Sequence, residues 1–390
     1  MQAGHAALAG PSGNGNIGED SVGWGDSAVW IPWQIYQMYG DKEILENQYE
    51  TGRRWLEYSL RNMQNKNEKY QDAAYYQHET FGENDGNYIY DTLFHYGEWN
   101  EPIDPEPYII EFFMNGGNPT DLVEYLAQFG SPEVATAYTK RSCDVMAKMA
   151  EVLGKTEDAR RYRLLSDRIR YCYDTYLIGE DGTISEGHQA AYVRALALDM
   201  VSEPKKPLVI AKLREEIEKA DYHLNTGFLS TVYILPTLCE NGLVDEAFRL
   251  LEQTGLPGWL HPVLMGATTI PENWDGLDKF EASFNHYSLG AVCQFLFENV
   301  AGIRPMEAVP GFKEFELKPL AGGSLTWARA HYDCPYGRIV SNWTQEGNCF
   351  CYECRVPEQT LAHLTLPNGE KKLLQAGEYS FTVLVKGSLG

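Results

Sequence analysis

The chain of 390 residues has little positive charge: 32 Lys and Arg stand against 55 Asp and Glu, a formal net charge of −23. Nucleic acids and anionic membrane surfaces are bound through basic faces. The sequence therefore predicts neither kind of partner. It also lacks an uninterrupted apolar run of about eighteen residues, so we expect no membrane-spanning helix.

Other signals are missing as well. The opening MQAGHAALAGPSGNGNIG has no charged segment followed by an apolar one, as a secretory signal would, so we expect a cytoplasmic protein. There is no G-x-S-x-G, no H-E-x-x-H and no phosphate-binding glycine loop. These absences argue against serine hydrolases, zinc proteases of that motif and nucleotide-binding enzymes.

The eight cysteines are few and scattered, and only Cys349, Cys351 and Cys354 lie close together. Their surroundings alternate like a strand, which puts Cys354 on the face opposite the other two. Such an arrangement is a poor zinc site. We expect reduced thiols, no metal and no cofactor.

What the sequence does contain, up to about residue 300, is helical periodicity. The spacing predicts a mainly α region of helical hairpins joined by short turns, a pattern typical of a ring of hairpins. The predicted helices cover 27–39, 43–65, 132–153, 157–177, 190–201, 208–220, 228–240, 244–253 and 282–300. The irregular, aromatic stretch 66–118 is predicted to be a long active-site loop that determines substrate specificity.

After residue 302 the periodicity changes to two. Short alternating runs separated by Gly, Pro and Asn predict an antiparallel β-sandwich of about six to eight strands. We therefore predict a catalytic helical domain over 1–305 and a C-terminal β-sandwich domain over 306–390.

Acids and indoles crowd into EDSVGWGDSAVWIPW, residues 19–33, which contains Glu19, Asp20, Trp24 and Asp26. Glycoside hydrolysis needs one protonated and one ionised carboxyl group on opposite sides of a sugar. Indoles and neighbouring carboxylates both raise a carboxyl pKa. The alternative for Asp26 is structural, because an acid just before a helix is a common cap.

A second cluster of the same composition follows far along the chain. GWLHPVLMGATTIPENWDG contains Trp259, Glu272 and Trp274, SFNHYS contains His286, and the earlier LFHYGEWNEP contains Trp99. Taken singly, each of these has an ordinary structural explanation, such as a loop ion pair or a core histidine. Together, acids and aromatic rings on long loops predict a sugar-cleaving site.

These motifs resemble the bacterial α-L-rhamnosidases of glycoside hydrolase family 78. GWGDSAVWIPWQIYQMYGDKEILE, then HLNTGFLSTVYILPTLCENGLVDEAFRLL, then GWLHPVLMGATTIPENWDG and SFNHYSLGAV follow the family's motifs in order, and YGEWN is similar to its GDW loop. The resemblance implies an (α/α)6 toroid followed by a β-sandwich, and inverting hydrolysis of terminal α-L-rhamnosides. The substrate would be a rhamnosylated small molecule or oligosaccharide.

The resemblance also implies roles for individual residues. Glu272 matches the general base, Trp24, Trp99 and Trp274 match indoles that wall the sugar, and His286 matches a histidine that contacts rhamnose. The general acid is open, because the Cys-Pro-Arg context and the usual Thr are missing: Glu19, Asp20 and Asp26 are the candidates.

The family normally has more chain before these motifs, so the toroid is expected to lack its first helices. Two alternative functions stay open from the sequence. One is a toroid glycosidase of other sugar specificity, and the other is a non-catalytic carbohydrate-binding protein or fragment. The oligomeric state is not indicated by any pattern.

Overall fold

Helices precede residue 300 and strands follow it in the computed structural model, which describes residues 21–93, 95–102, 116, 132–185, 187–274 and 283–385. The helices are α1 Ser27–Tyr39, α2 Lys42–Met63, α3 Pro132–Val152, α4 Thr156–Tyr176, α5 Gln189–Ala197, α6 Lys206–Lys219, α7 Thr231–Glu240, α8 Val244–Leu251, α9 Leu260–Leu264, α10 Tyr287–Gly290 and α11 Val292–Phe295. A π-helical turn, Leu296–Val300, continues α11.

The structure confirms most of the predicted helices to within a few residues, with two differences. The last helical segment begins at Tyr287, not at residue 282, because residues 283–286 are not helical. The short helix α9 was not predicted. It is too brief to show a periodic apolar face.

The hairpin of α1 and α2 shows how local sequence determines these turns. Gly40 ends α1 in the left-handed conformation, with φ of 70°, and its N–H donates to the Tyr36 carbonyl. Glycine adopts that conformation without steric cost. Asp41 then begins α2 by accepting a hydrogen bond from the Glu43 N–H at 2.9 Å. Two residues thus reverse the chain and produce an antiparallel pair.

The first helices of successive hairpins pack side by side, α1 on α3, α3 on α5, α5 on α7, and α7 on the segment 287–300. In two of the hairpins, burial distinguishes the first helix from its partner. Most residues of α3 and α5 are buried, whereas α4 and α6 bury a single stripe. Helices buried on all sides lie inside a structure, and one-sided helices lie at its surface. In these two hairpins the first helix therefore lies inside the structure and the second helix lies at its surface.

The strands form two four-stranded sheets, ordered β1-β2-β6-β7 and β3-β4-β5-β8. Their bounds are β1 Ile303–Pro305, β2 Glu314–Leu317, β3 Trp327–Cys334, β4 Gly337–Glu346, β5 Cys349–Val356, β6 Leu361–Thr365, β7 Lys371–Leu374 and β8 Gly377–Leu384. One pairing departs from the predicted antiparallel arrangement, because β2 and β6 pair in parallel. The residues that pair are 47 positions apart in the sequence, as in Glu314 and Leu361, so local alternation cannot specify the pairing.

The sandwich packs against both ends of the helical row. Trp343 Nε1 donates to the Val300 carbonyl at 2.8 Å, and the Ser341 hydroxyl donates to the Ala301 carbonyl at 2.6 Å. At the other end, the Gly311 N–H donates to the Gln37 carbonyl of α1 at 2.9 Å. The β-sandwich therefore fixes the last helical segment relative to the first hairpin.

Three expectations from the sequence concern the cysteine faces of β5, a metal site and a membrane-spanning helix. In β5, Cys351 is exposed, Cys349 is half-buried and Cys354 is buried, so the predicted alternation of faces is confirmed. Across the described ranges, no three His, Cys, Asp or Glu side chains are grouped as metal ligands. No helix among those residues is long and apolar enough to cross a membrane.

Candidate active site

Asp26 lies in the turn that leads into α1 and is 1% exposed. One carboxylate oxygen, Oδ2, accepts the Gly23 N–H at 2.7 Å, and the other, Oδ1, accepts the hydroxyl of Ser142 on α3. Burial raises the pKa of Asp26, although these hydrogen bonds oppose the rise. Both oxygens therefore have partners inside the protein.

The backbone around Asp26 is closely packed. A Cβ on Gly25 would lie 2.1 Å from the Trp55 ring, and one on Gly23, where φ is +88°, would lie 2.7 Å from Leu229. Only glycine fits both positions. The two glycines of GWGD therefore let the turn approach α2 and the 224–231 loop.

His95 holds this turn to the following loop. Its Nδ1 accepts the Val22 N–H at 3.1 Å, so in the neutral ring Nε2 carries the proton and donates to the Thr92 carbonyl at 3.0 Å. Burial lowers the pKa of His95 to about 4. A neutral, fully bonded imidazole is therefore part of the turn's support.

A row of aromatic rings crosses from this turn to the second cluster. Trp24 lies 5.4 Å from Tyr96 and 5.8 Å from Phe228 between ring centroids, and Phe228 lies 4.7 Å from His286. Tyr96 continues the row to Trp99 at 5.6 Å, whose indole is 46% exposed. The structure thus brings together three predicted residues, Trp24, Trp99 and His286.

Sequence reasoning missed Tyr96 and Phe228. Both lie in segments that were singled out, LFHYGEWNEP and YHLNTGF, but on their own they look like ordinary core aromatics. Their position between two predicted site residues is the signal that identifies them, and it exists only in three dimensions.

Glu272 lies on a short pairing of two chain segments. Its N–H donates to the Ser283 carbonyl at 2.8 Å, and the Ser283 N–H donates to its carboxylate at 3.0 Å. The His286 N–H donates to the Ile270 carbonyl at 2.9 Å, so the acid and the histidine are held on adjoining segments. Glu272 is half-buried, and Ser283 beside it is exposed.

His286 also borders a cavity of about 740 Å³ between the segments 263–270 and 285–294. Thr268, Thr269, Ile270 and Asn285 are among the residues that line it. The histidine Nδ1 accepts the Ser288 N–H at 3.2 Å, which begins α10 and orients the ring. A concave space with polar edges therefore lies next to the aromatic row.

Trp259 and Trp274 are placed differently from the other predicted indoles. They are 3% and 8% exposed, and they pack edge-to-face with 5.7 Å between ring centroids. Trp259 Nε1 donates to the Leu289 carbonyl and Trp274 Nε1 to the Thr226 carbonyl, each at 2.9 Å. Their predicted contact with substrate stays a prediction, since most of each ring is covered by protein.

Glu19 and Asp20, the other candidates for the general acid, lie outside the described residues. Of the predicted catalytic carboxyls, the structure therefore describes Asp26 and Glu272. The first is enclosed and the second is accessible.

A row of helical hairpins packed on a β-sandwich, with acids and aromatic rings on its loops, is the architecture of the six-hairpin glycosidases. The model of the bacterial alpha-L-rhamnosidase 6 hairpin glycosidase domain matches residues 1–100 and 125–300. The model of the bacterial alpha-L-rhamnosidase C-terminal domain matches residues 302–381.

Individual proteins that are similar to this chain support the same family. An alpha-L-rhamnosidase of Streptomyces avermitilis is 33% identical over 360 residues, covering 90% of this chain and 30% of the relative. One of Formosa agariphila is 30% identical over 374 residues, covering 94% and 36%. The crystal structure of Streptomyces avermitilis alpha-L-rhamnosidase complexed with L-rhamnose superposes with a TM-score of 0.76 at 30% identity, over 95% of this chain and 34% of that one.

The chain belongs to the bacterial α-L-rhamnosidase six-hairpin glycosidase family. The family resemblance and the predicted fold class, a helical toroid followed by a β-sandwich, are confirmed. The chain spans about a third of the length of the relatives it matches.

Proposed function

We propose that this chain carries the catalytic site of a glycoside hydrolase that removes terminal α-L-rhamnose from a rhamnosylated small molecule or oligosaccharide. The observation that carries the proposal is the convergence of Trp24, Trp99 and His286 in one aromatic row, next to the segment that holds an accessible Glu272. Aromatic faces stack on the apolar faces of sugars, and polar groups bind the hydroxyls.

In this proposal Glu272 is the general base. It removes a proton from the water that attacks the anomeric carbon, while an acid on the other side protonates the leaving oxygen, so the configuration inverts. Such a base needs one oxygen that can reach a water molecule. Within the described ranges, the Glu272 carboxylate accepts one hydrogen bond, from the Ser283 N–H. An accessible acid beside aromatic rings meets that requirement.

The acid is proposed to be Glu19 or Asp20. Asp26 is the third candidate from the sequence, but both of its oxygens have protein partners and it is 1% exposed. A proton donor must reach the glycosidic oxygen, which an enclosed carboxyl does not. We therefore propose that Asp26 supports the turn instead of donating the proton.

The experiment is hydrolysis of p-nitrophenyl α-L-rhamnopyranoside by the purified chain, beside a panel of other nitrophenyl glycosides. We expect release from the rhamnoside alone. NMR of the first product should show the β-anomer, because inversion of an α-rhamnoside gives that configuration. The α-anomer as first product would contradict the inverting mechanism. Binding of rhamnose without turnover would favour a carbohydrate-binding protein.

Two further proposals concern the domain boundary and the cellular location. The division into 1–305 and 306–390 and a cytoplasmic location are both expectations from the sequence. The first can be tested by expressing the two parts separately, and the second by fractionating cells that express the natural gene.

A further inference from the structure

Three loops next to the aromatic row are hydrogen-bonded to one another. We call residues 98–101, 226–230 and 272–274 the three-loop junction. The Phe228 N–H donates to the Trp99 carbonyl at 2.8 Å, and Trp274 Nε1 donates to the Thr226 carbonyl at 2.9 Å. The Asn100 amide donates to the Glu272 carbonyl at 3.3 Å and to the Asn273 side chain. The segment that carries Glu272 is thus bonded to both other loops.

The junction is anchored by a buried carboxylate. Glu98 accepts the Gly227 N–H at 2.9 Å and the Ser230 N–H at 2.7 Å through Oε1, and the Ser230 hydroxyl at 2.8 Å through Oε2. Its Oε2 also pairs with Arg194 at 2.5 Å. Three of these contacts hold the 98–101 loop to the 226–230 loop, and the fourth holds it to α5.

Arg194 connects this anchor to the inner helices. Its guanidinium pairs with Glu98 on one side and with Glu133 of α3 on the other, both at 2.5 Å, and the three side chains are 3% to 4% exposed. Tyr173 of α4 donates to Glu133 at 2.5 Å. Burial alone would lower the pKa of Arg194, but the two carboxylates keep it above its ordinary value.

Gly227 shows how closely the loops approach. A Cβ at this position would lie 2.3 Å from the Trp99 carbonyl oxygen and 2.7 Å from that of Glu98. Both neighbours are backbone atoms, which cannot swing aside as the end of a flexible side chain would. A side chain at residue 227 would therefore separate the 98–101 loop from the 226–230 loop.

We propose that Glu98, fixed by Arg194 and Glu133, is a positioning residue that sets the place of Glu272 through Asn100 and the three-loop junction. The catalytic part of this inference rests on the proposed function of Glu272. Glu98 itself is enclosed, so it acts through its neighbours and not on the substrate. Displacements of about 1 Å at a reacting group can reduce turnover about a hundredfold.

The test compares Glu98→Gln and Gly227→Ala with a matched control, Glu246→Gln. Glu246 is also a buried carboxylate, 7% exposed and paired with Arg214 at 2.9 Å, but it lies on α8 away from the junction. Gly227→Ala disturbs the same junction while leaving the side chains of Glu98, Arg194 and Glu133 unsubstituted. It keeps the proposal testable if Glu98→Gln does not fold.

The first readout is amide hydrogen exchange in the full chain, which does not depend on activity. We expect the amides of Glu272 and His286 to exchange about tenfold faster in both junction variants and at the parent rate in Glu246→Gln. Unchanged exchange in the junction variants, or an equal increase in the control, would overturn the positioning role.

The second readout is kinetic. Both junction variants should lower kcat about tenfold to a hundredfold, with KM within about threefold of the parent, well below their melting temperatures. Glu98→Gln combined with Asn100→Ala should lose less than the product of the two single losses, because both residues act on Glu272 through the same junction. Losses that multiply would contradict this route. An inactive parent would refute the proposed function, and exchange would still decide the positioning role.

Discussion

The two loop regions that the sequence pairs as halves of one site are built in opposite ways. Around Asp26 both carboxylate oxygens have protein partners, and the backbone is packed too closely for any side chain at Gly25. Around Glu272 the acid is half-buried and the neighbouring Ser283 and Asn285 are exposed. A carboxyl group is therefore enclosed in one region and accessible in the other.

The difference has a simple physical origin. A buried carboxyl group is costly unless its oxygens are hydrogen-bonded, so the enclosed region needs Ser142 and the Gly23 N–H to complete it. An accessible carboxyl group is solvated and needs no such partners. Substitutions should consequently affect stability in the first region and turnover in the second.

The largest effect is expected from Glu272→Gln. Removing a general base costs about a hundredfold to ten-thousandfold in turnover, so we expect kcat on the nitrophenyl rhamnoside to fall about a thousandfold with the melting temperature unchanged. Rhamnose binding should survive. Asp26→Asn is the matched control and should keep most of the turnover. Equal losses in both variants would abolish the distinction between the regions.

Asp26→Ala should have the largest effect on stability. The Gly23 N–H and the Ser142 hydroxyl would lose their acceptor in a buried place, and each unpaired group costs about 1–3 kcal/mol. We expect a loss of about 4 kcal/mol in the free energy of unfolding, measured by urea denaturation. Asp26→Asn, whose amide oxygen can still accept the Gly23 N–H, should lose less than half as much. If Glu272→Ala destabilises the protein as strongly, both regions are structural.

The lowered pKa of His95, which lies in the enclosed region, predicts that the stability of the folded chain depends on pH. Its ordinary pKa is 6.5, and burial lowers its pKa to about 4 in the folded chain. Between these values the unfolded chain binds a proton that the folded chain does not. Stability is therefore complete above pH 6.5 and falls as the pH drops towards 4, by about 3 kcal/mol from pH 7 to pH 4.

His95→Gln should remove this dependence, so the difference in stability between parent and variant should be flat above pH 6.5 and should slope below it. Asp26 acts in the opposite sense. Because burial raises its pKa, the folded chain holds a proton that the unfolded chain has released, and stability falls as the pH rises above 3.8. The comparison of single variants with the parent separates the two contributions. A parent curve that His95→Gln leaves unaltered would disprove the assignment.

The smallest effect is expected from Trp274→Phe. Phenylalanine keeps most of the buried ring but leaves the Thr226 carbonyl without its donor, so we expect a loss of about 1.5 kcal/mol in stability. KM should change little, because 8% of the indole is exposed, whereas Trp99→Ala should raise KM several-fold at 46% exposure. A large KM effect of Trp274→Phe would make it a sugar contact, as the sequence predicts.

Much of the fold follows from short-range patterns. Gly40 and Asp41 predict the turn between α1 and α2, and alternation predicts which cysteines of β5 face outwards. Such features depend on neighbours within a few residues, whose spacing repeats with the period of the helix or strand. The ordered motifs are equally local, which is why the family could be identified from them.

The contacts inside the site could not be predicted from such short-range patterns. Nothing near Glu98 indicates that its partners would be Arg194 and Glu133, and its loop looked like a place for chemistry instead of an anchor. Tyr96 and Phe228 were overlooked for the same reason. Contacts between residues that are tens to hundreds of positions apart have no periodic trace in the sequence.

The sequence by itself determined the two-part architecture, most helices and strands, the family and the segments that contain the site. Tertiary structure alone decided which acid is enclosed and which is accessible, since burial depends on Ser142, 116 positions from Asp26, and on loops that meet only after folding. Residue type sets what a carboxyl group can do. Solvation and hydrogen-bond partners, which the packed chain supplies, decide what it does.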